Sequence, residues 1–320
     1  MLHRRKFLAA AVALAAGPAA AQITVERRGS STLLPHAPDQ DYDPPTTLKA
    51  LFDLYSRMTA PVHVNGRGPY PFVVDTGANQ SVISETLAAA LGLARGPLEL
   101  LNSTTGAKLA PTAGAVIGIG DRRPVAVTLG VLPREAVGAA GLLGVDRLGG
   151  QRLTLDFAGQ RLAIEPSDRA WRDPGDVVLK ASRRDGQLTL VDAQFAGAPV
   201  TAFLDSGAQS TIGNLALKRL ASAHHPEVSW IEAPVLSVTG QTMTAEIAGF
   251  PGFRIGGLDL PTWPVAFADL HTFAMWNLIE PPALMIGVDV LSRFKAVSLD
   301  FGRDEVRFHD VAAAGFLRYA

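Results

Sequence analysis

Residues 73–78 read Val-Val-Asp-Thr-Gly-Ala, and residues 203–208 repeat the pattern as Phe-Leu-Asp-Ser-Gly-Ala. In each copy an apolar run, typical of a buried strand, leads into a carboxylate, a hydroxyl residue and a glycine. One such tripeptide is a common turn signal. Two of them in one chain, at Asp75 and Asp205, indicate a pair of equivalent turns, and the residues around each turn indicate the fold.

The sequence around the two acid turns repeats its landmarks in the same order. Each copy has a hairpin signal, the acid turn, an apolar run that enters a glycine, and a closing hairpin. In the first copy these lie at 65–66, 73–78, 142–146 and 153–157, and in the second at 196–197, 203–208, 285–289 and 297–301. We therefore predict two homologous lobes, residues 47–168 and 169–320.

The chain as a whole favours an all-β fold with short helices. Short alternating runs broken by glycine and proline begin near Leu48, and 31 Gly with 22 Pro suit a turn-dense chain. After the acid turns, Ser84 and Asn214 stand where a helix N-cap is expected, so a short helix is predicted to follow each.

The N-terminal residues 1–21 are predicted to be a targeting segment. Arg4-Arg5-Lys6 precedes a short apolar run, and Ala19-Ala20-Ala21 offers a cleavage site, a pattern that looks like a twin-arginine export signal. The apolar run is too short to span a bilayer. We therefore expect a periplasmic or secreted protein with no stable membrane span. Residues 22–46 are predicted to be a linker or arm, and their position leaves open whether they form an inhibitory pro-segment.

Composition and motifs exclude several function classes. No cysteine is present, so thiolate chemistry and cysteine metal sites are excluded. The 29 Lys and Arg residues, three of them in the targeting segment, stand against 30 Asp and Glu, a balance that gives no footprint for nucleic acid. Zinc-protease, phosphate-loop and serine-elbow motifs are also absent from the sequence, so neither a metal nor a cofactor is expected.

The paired acid turns indicate a particular chemistry. Two carboxyl groups held together share one proton, because both cannot be ionised cheaply at close range. The ionised partner can take a proton from water while the protonated one donates to a carbonyl oxygen, which is how water attacks a peptide bond. Gly77 and Gly207 would let the backbone approach the carboxyl groups closely.

At this point the sequence resembles a known family. Residues 75–83 and 205–212 look like the active-site motif of retropepsin-like aspartic proteases, and residues 142–146 and 285–289 are similar to the second signature of that family. The resemblance implies a closed, barrel-like β lobe for each copy, with an active-site cleft between them. Both lobes lie in one chain, as in the bilobal pepsin-like enzymes.

The resemblance also implies roles for residues. Asp75 and Asp205 would form the catalytic dyad, and the hydroxyl groups of Thr76 and Ser206 would bond across to the opposite lobe. The substrate would be a peptide or protein, and the enzyme a monomeric aspartic-type endopeptidase. Hairpin flaps are expected at 102–107 and 237–242, although neither contains the tyrosine that pepsin-like enzymes place there.

Three alternatives stay open. The fold could be an inactive exported module that binds or adapts peptides without cutting them. Each lobe could instead pair with its twin in a second chain. Finally, the second copy carries an aromatic-rich insertion at 263–282 that could line the cleft or cover the outside of the lobe.

Overall fold

The computed structural model describes residues 24–25, 43–148, 150–167, 175–184, 187–236, 242–311 and 317–318. Strands make up 51% of the structure and helices 13%, so the predicted mainly-β fold with short helices is confirmed. Within these ranges, no helix has the length and apolar character needed to cross a membrane. The predicted targeting segment, most of the arm and residues 168–174 lie outside the described residues.

The strands are short and follow one another closely along the chain. In the first half they are β1 (Thr24–Val25), β2 (Thr46–Lys49), β3 (Leu51–Phe52), β4 (Met58–Val64), β5 (Arg67–Val74), β6 (Val82–Ser84), β7 (Arg95–Ser103), β8 (Gly106–Ile119), β9 (Val125–Leu132), β10 (Gly141–Leu143), β11 (Gln151–Asp156) and β12 (Arg161–Pro166). In the second half they are β13 (Val177–Lys180), β14 (Ser182–Arg184), β15 (Gln187–Phe195), β16 (Ala198–Leu204), β17 (Ile212–Gly213), β18 (Ile231–Leu236), β19 (Thr242–Phe250), β20 (Phe253–Ile255), β21 (Leu258–Asp259), β22 (Trp263–Phe267), β23 (Ala283–Ile286), β24 (Ala296–Asp300), β25 (Glu305–His309) and β26 (Leu317–Arg318).

Helices are brief and sit between strands. Among the described residues they are α1 (Glu85–Leu91), α2 (Arg134–Val137), α3 (Leu215–His224), α4 (His271–Met275) and α5 (Val288–Leu291), with a 3-10 turn at Val145–Arg147. Ser84 caps α1 by accepting the N–H of Leu87, and Asn214 caps α3 by accepting the N–H of Leu217. Both predicted N-caps are thus confirmed.

The strands form three sheets. An N-terminal sheet has the order β1-β7-β8-β9-β6-β10-β5-β4-β3, and β8 also pairs with β4. A C-terminal sheet has the order β18-β19-β22-β17-β23-β16-β15-β20-β21-β26, with β14 on β15. A central sheet, β13-β25-β24-β11-β12-β2, takes strands from both halves of the chain.

The two acid turns sit in the same arrangement of strands. In the first half β10 is parallel to β5 and antiparallel to β6, and β6 is parallel to β9. In the second half β23, β16, β17 and β22 pair in the same senses. β10 and β23 are apolar along their length and buried, as interior strands of mixed sheets are. Each aspartate is therefore delivered by a strand that neighbours hold on both sides.

Tight turns set the register of the strand before each aspartate. Asn65 and Gly66 between β4 and β5 have φ of 49° and 72°, and Ala196 and Gly197 between β15 and β16 have φ of 48° and 82°. Positive φ at both central residues is the geometry that matches the twist of a two-residue hairpin. The predicted hairpin turns are confirmed at both places.

The two closing hairpins behave differently from the prediction. They exist as β11–β12 and β24–β25, but instead of closing each half by itself they pair with each other through β11 and β24. Thr154 lies opposite Ser298 at the middle of this contact, and their hydroxyl oxygens are 2.8 Å apart. Alternation along both strands buries one face of this sheet in the shared core, which favours joining the hairpins.

Candidate active site

The aspartates of the two acid turns lie together at the centre of the molecule. Asp75 follows β5 and Asp205 follows β16, and both are completely buried, with 0% of either residue exposed. The turns that carry them are hydrogen-bonded directly to each other, and the pKa of each carboxyl group is shifted by the presence of the other. The fold thus brings into contact two carboxyl groups that the sequence separates by more than a hundred residues.

The hydroxyl residues after the aspartates tie the two turns together. Thr76 donates its Oγ1–H to the carbonyl of Leu204 at 3.1 Å, and Ser206 donates its Oγ–H to the carbonyl of Val74 at 2.7 Å. Each hydroxyl also accepts the backbone N–H of the other residue, at 3.0 Å in both cases. These four reciprocal bonds fix the separation of the two halves at the level of the carboxyl groups.

The glycines of the motif allow the turns to approach. Gly77 donates its N–H to Oδ1 of Asp75, and Gly207 donates its N–H to Oδ1 of Asp205, both at 2.9 Å. A Cβ atom on Gly207 would lie 2.5 Å from Cγ of Asp75, well inside contact distance. A side chain at this position would therefore push the two carboxyl groups apart.

Burial dominates the electrostatics of the pair. It raises the pKa of Asp75 well above its ordinary value, and the neighbouring charge of Asp205 raises it further. Burial also raises the pKa of Asp205 to about 6, against the opposing effect of N–H groups from Gly207 and Ala208. Oδ2 of either carboxyl receives no N–H or O–H from another described residue. Two adjoining buried carboxyl groups cannot both be ionised cheaply, so they hold one proton between them, and the extra backbone donor on Asp205 favours Asp75 as its holder.

In each half, the second repeated segment (142–146 or 285–289) is hydrogen-bonded to a residue that follows the acid turn. Oγ of Ser81 donates to Asp146 at 2.8 Å and accepts the N–H of Gly144 at 3.0 Å. In the other half, Oγ1 of Thr211 donates to Asp289 at 2.7 Å and accepts the N–H of Gly287 at 3.1 Å. The recurring aspartates of these segments therefore make structural hydrogen bonds.

The first predicted flap is a hairpin whose tip is held from the other half of the chain. Residues 102–107 join β7 to β8, and Ser103 and Thr104 at the tip are fully buried. The backbone N–H of His271, the first residue of α4, donates to the carbonyl of Thr104 at 2.7 Å. Nε2 of His271 lies 3.1 Å from Oδ1 of Asn102. Of the second predicted flap, residues 237–241 lie outside the described residues.

The aromatic insertion of the second half packs into the core. The rings of Phe273 and Trp276 are buried against Phe203 of β16, with centroid separations of 5.8 and 4.7 Å. From that position α4 reaches the hairpin tip described above. The insertion therefore backs the strand that carries Asp205 rather than covering an outer surface.

One residue at the site was missed by sequence reasoning. Arg57, just before β4, is fully buried and interacts electrostatically with both aspartates. The sequence offered little signal for it, because the register of β4 on β5 that brings Arg57 opposite Asp75 includes a shift between Val62 and Val64 that the Asn65-Gly66 turn does not predict. Elsewhere in the described ranges no group of three or more metal-ligating side chains is found.

Comparison with known protein families gives a match around the first of the two acid turns. A family model of aspartyl proteases matches residues 60–147, which include Asp75 and end before Asp205. No curated protein matches the chain. The match supports a hydrolase of the aspartic protease type.

Proposed function

We propose that this protein is an aspartic endopeptidase of the retropepsin-like kind, with Asp75 and Asp205 as its dyad and both lobes in one chain. The observation that carries the proposal is that two wholly buried carboxyl groups lie on turns joined by four reciprocal hydrogen bonds, which the hydroxyl groups of Thr76 and Ser206 make with the opposite turn. The aspartyl protease match around Asp75 supports the same reaction class.

The two carboxyl groups take different parts in the reaction. Asp205, ionised, accepts a proton from a water molecule, and the resulting hydroxide forms a bond to the peptide carbonyl carbon. Asp75, protonated, donates to the carbonyl oxygen, which gives a neutral tetrahedral diol. The diol then returns a proton to Asp75 as its carbonyl re-forms, Asp205 protonates the leaving nitrogen, and the C–N bond breaks. Thr76 and Ser206 keep the pair at a fixed separation throughout.

Substrate entry requires a movement, because neither carboxyl group is exposed. The hairpin at 102–107 is the segment we assign to that movement. Its contacts with His271 are polar, and polar contacts at a hairpin tip can break and re-form while the core stays folded. An extended peptide or protein segment would then lie between the two halves.

We also propose a cellular location and an oligomeric state for the enzyme. The Arg4-Arg5-Lys6 pattern, which looks like an export signal, supports a location in the periplasm or outside the cell, and a dyad assembled within one chain suits a monomer. Light scattering at low concentration tests the latter, since an active monomer excludes pairing of each half with its twin in a second chain.

The direct test uses Asp75→Asn and Asp205→Asn on the mature chain, with peptides incubated at acid and neutral pH and products read by mass spectrometry. We expect each change to lower turnover by about a hundredfold or more, because acid–base catalysis by the pair is lost. Asp304→Asn, at an exposed ion pair with Arg183, is the matched control and should retain full activity. Activity that survives either dyad change would refute the assignment.

An inactive peptide-binding module is the second candidate, and one observation favours it, namely the complete burial of both carboxyl groups. It predicts tight binding of a transition-state mimic of peptide cleavage with no product at any pH. Detection of any cleaved peptide that depends on Asp75 would exclude a pure binder.

A further inference from the structure

Arg57 is a buried cation held in a short, well-bonded loop. Its Nε and Nη2 donate to Oδ2 of Asp53 at 2.8 and 2.7 Å, and Nη2 also donates to the carbonyl of Val137 at 3.1 Å. Oδ1 of Asp53 accepts the backbone N–H groups of Tyr55 and Arg57, both at 2.9 Å. The loop therefore fixes both the backbone and the guanidinium of a residue that has no exposed surface.

Strand register places this residue at the first acid turn. Thr59 lies opposite Val73 in the antiparallel pair of β4 and β5, so two residues further along Arg57 comes opposite Asp75. In the second half, Leu190 lies opposite Phe203, and the same extension puts Leu188 opposite Asp205. At this register position an arginine stands in the first half and a leucine in the second.

The charged groups around Arg57 do not fully neutralise its positive charge. Asp53 is its ion-pair partner, and the guanidinium carbon lies 5.4 Å from the ring centre of Tyr55. Arg134 and Glu135 of α2, which presents the Val137 carbonyl, are exposed to solvent. Nη1 of Arg57 is buried and has no hydrogen-bond partner among the described residues. A buried charge in such surroundings is screened weakly and acts over a longer range than a surface charge.

We propose that Arg57 is a positioning residue for the acid pair, whose fixed positive charge sets the pH range in which Asp75 and Asp205 hold a single proton between them. The inference rests on the proposed function for its activity readout. Its physical reason is that a nearby cation favours the ionised form of a carboxyl group. Burial drives the pair toward full protonation, and Arg57 opposes that effect at both aspartates.

The test compares pH profiles of kcat/KM on one peptide for three variants and a control. In Arg57→Met the cation is lost, so both limbs of the profile should move to higher pH by about one unit. In Asp53→Asn the cation loses its counter-charge, so both limbs should move to lower pH. Arg57→Lys keeps the charge and should stay close to the wild type, as should Arg134→Met on the exposed face of α2.

Opposite shifts separate an electrostatic role from a structural one, since damage to the loop would change both variants in the same direction. Should Arg57→Met fail to fold, the shift of Asp53→Asn decides the question by itself. Profiles of both variants that stay within about 0.2 pH units of the wild type would overturn the inference and leave the proposed protease intact.

A second readout needs no activity. In Arg57→Met, the fall in the free energy of unfolding with rising pH should occur at higher pH than in the wild type. The difference between these two proteins should shrink when both also carry Asp75→Asn. If peptides are never cleaved but this dependence is seen, the proposed function fails while the role of Arg57 stands. If peptides are cleaved but Arg57→Met and the wild type show the same pH dependence of unfolding, the proposed function stands and the proposed role of Arg57 fails.

Discussion

The two acid turns have the same arrangement of strands around them and are linked by reciprocal hydroxyl bonds, yet their immediate surroundings differ. Oδ1 of Asp205 accepts two backbone N–H groups, whereas Oδ1 of Asp75 accepts one. Asp75 alone has a buried arginine opposite it in the strand register. A repeated sequence motif thus fixes where two carboxyl groups lie, and residues outside the motif decide how each one holds its proton.

The largest expected effect tests what the turns have in common. Thr76→Val or Ser206→Ala leaves buried backbone groups of the opposite turn without partners, which should lower the free energy of unfolding by about 2–5 kcal/mol. Chemical denaturation measures it, with the exposed Thr128→Val as control. The two variants should lose similar amounts, and a loss below about 1 kcal/mol in either would contradict a reciprocal linkage.

The helix caps after the two turns should differ in strength. Asn214 accepts the N–H of Leu217 and donates its Nδ2–H to the carbonyls of Leu278 and Pro281, whereas Ser84 makes one long cap bond of 3.3 Å. We expect Asn214→Ala to cost about 2–4 kcal/mol of unfolding free energy and Ser84→Ala about 1 kcal/mol. Thermal or denaturant unfolding of both variants checks the order, and equal losses would show that the extra bonds of Asn214 contribute nothing.

The last expected effect concerns the protons of the pair. In the unfolded chain these aspartates ionise near pH 4. Because burial raises the pKa of Asp205 to about 6 in the folded protein, stability should be greatest below about pH 4 and fall as the pH rises through about 6. Asp205→Asn should therefore raise the free energy of unfolding at pH 7 by about 2 kcal/mol and leave it unchanged near pH 4. A wild-type protein equally stable at both pH values would refute this linkage.

Local signals predicted much of the fold. Asn65-Gly66 and Ala196-Gly197 adopt the positive φ values that their hairpins need, and Ser84 and Asn214 cap the helices. These features depend on a few adjacent residues, so the sequence contains them directly.

Contacts between distant segments were not predictable in the same way. No local pattern tells β11 to pair with β24 rather than close its own half, because both choices bury the same apolar face. The contact of His271 with the hairpin at 102–107 joins segments far apart in the chain. Arg57 lies among polar loop residues, and only its register with Asp75 shows that it is internal. In each case the missing information was a pairing partner.

Unlike halves in one chain allow a charge pattern that two identical subunits could not adopt. In a symmetric dimer, every group beside one aspartate recurs beside the other, so two guanidinium groups would face a pair that carries one negative charge. Here Arg57 lies at the register position opposite Asp75, and Leu188 lies at the corresponding position of the second half. A single chain with unlike halves is free of the constraint of twofold symmetry, so the surroundings of each carboxyl group can be adjusted one at a time.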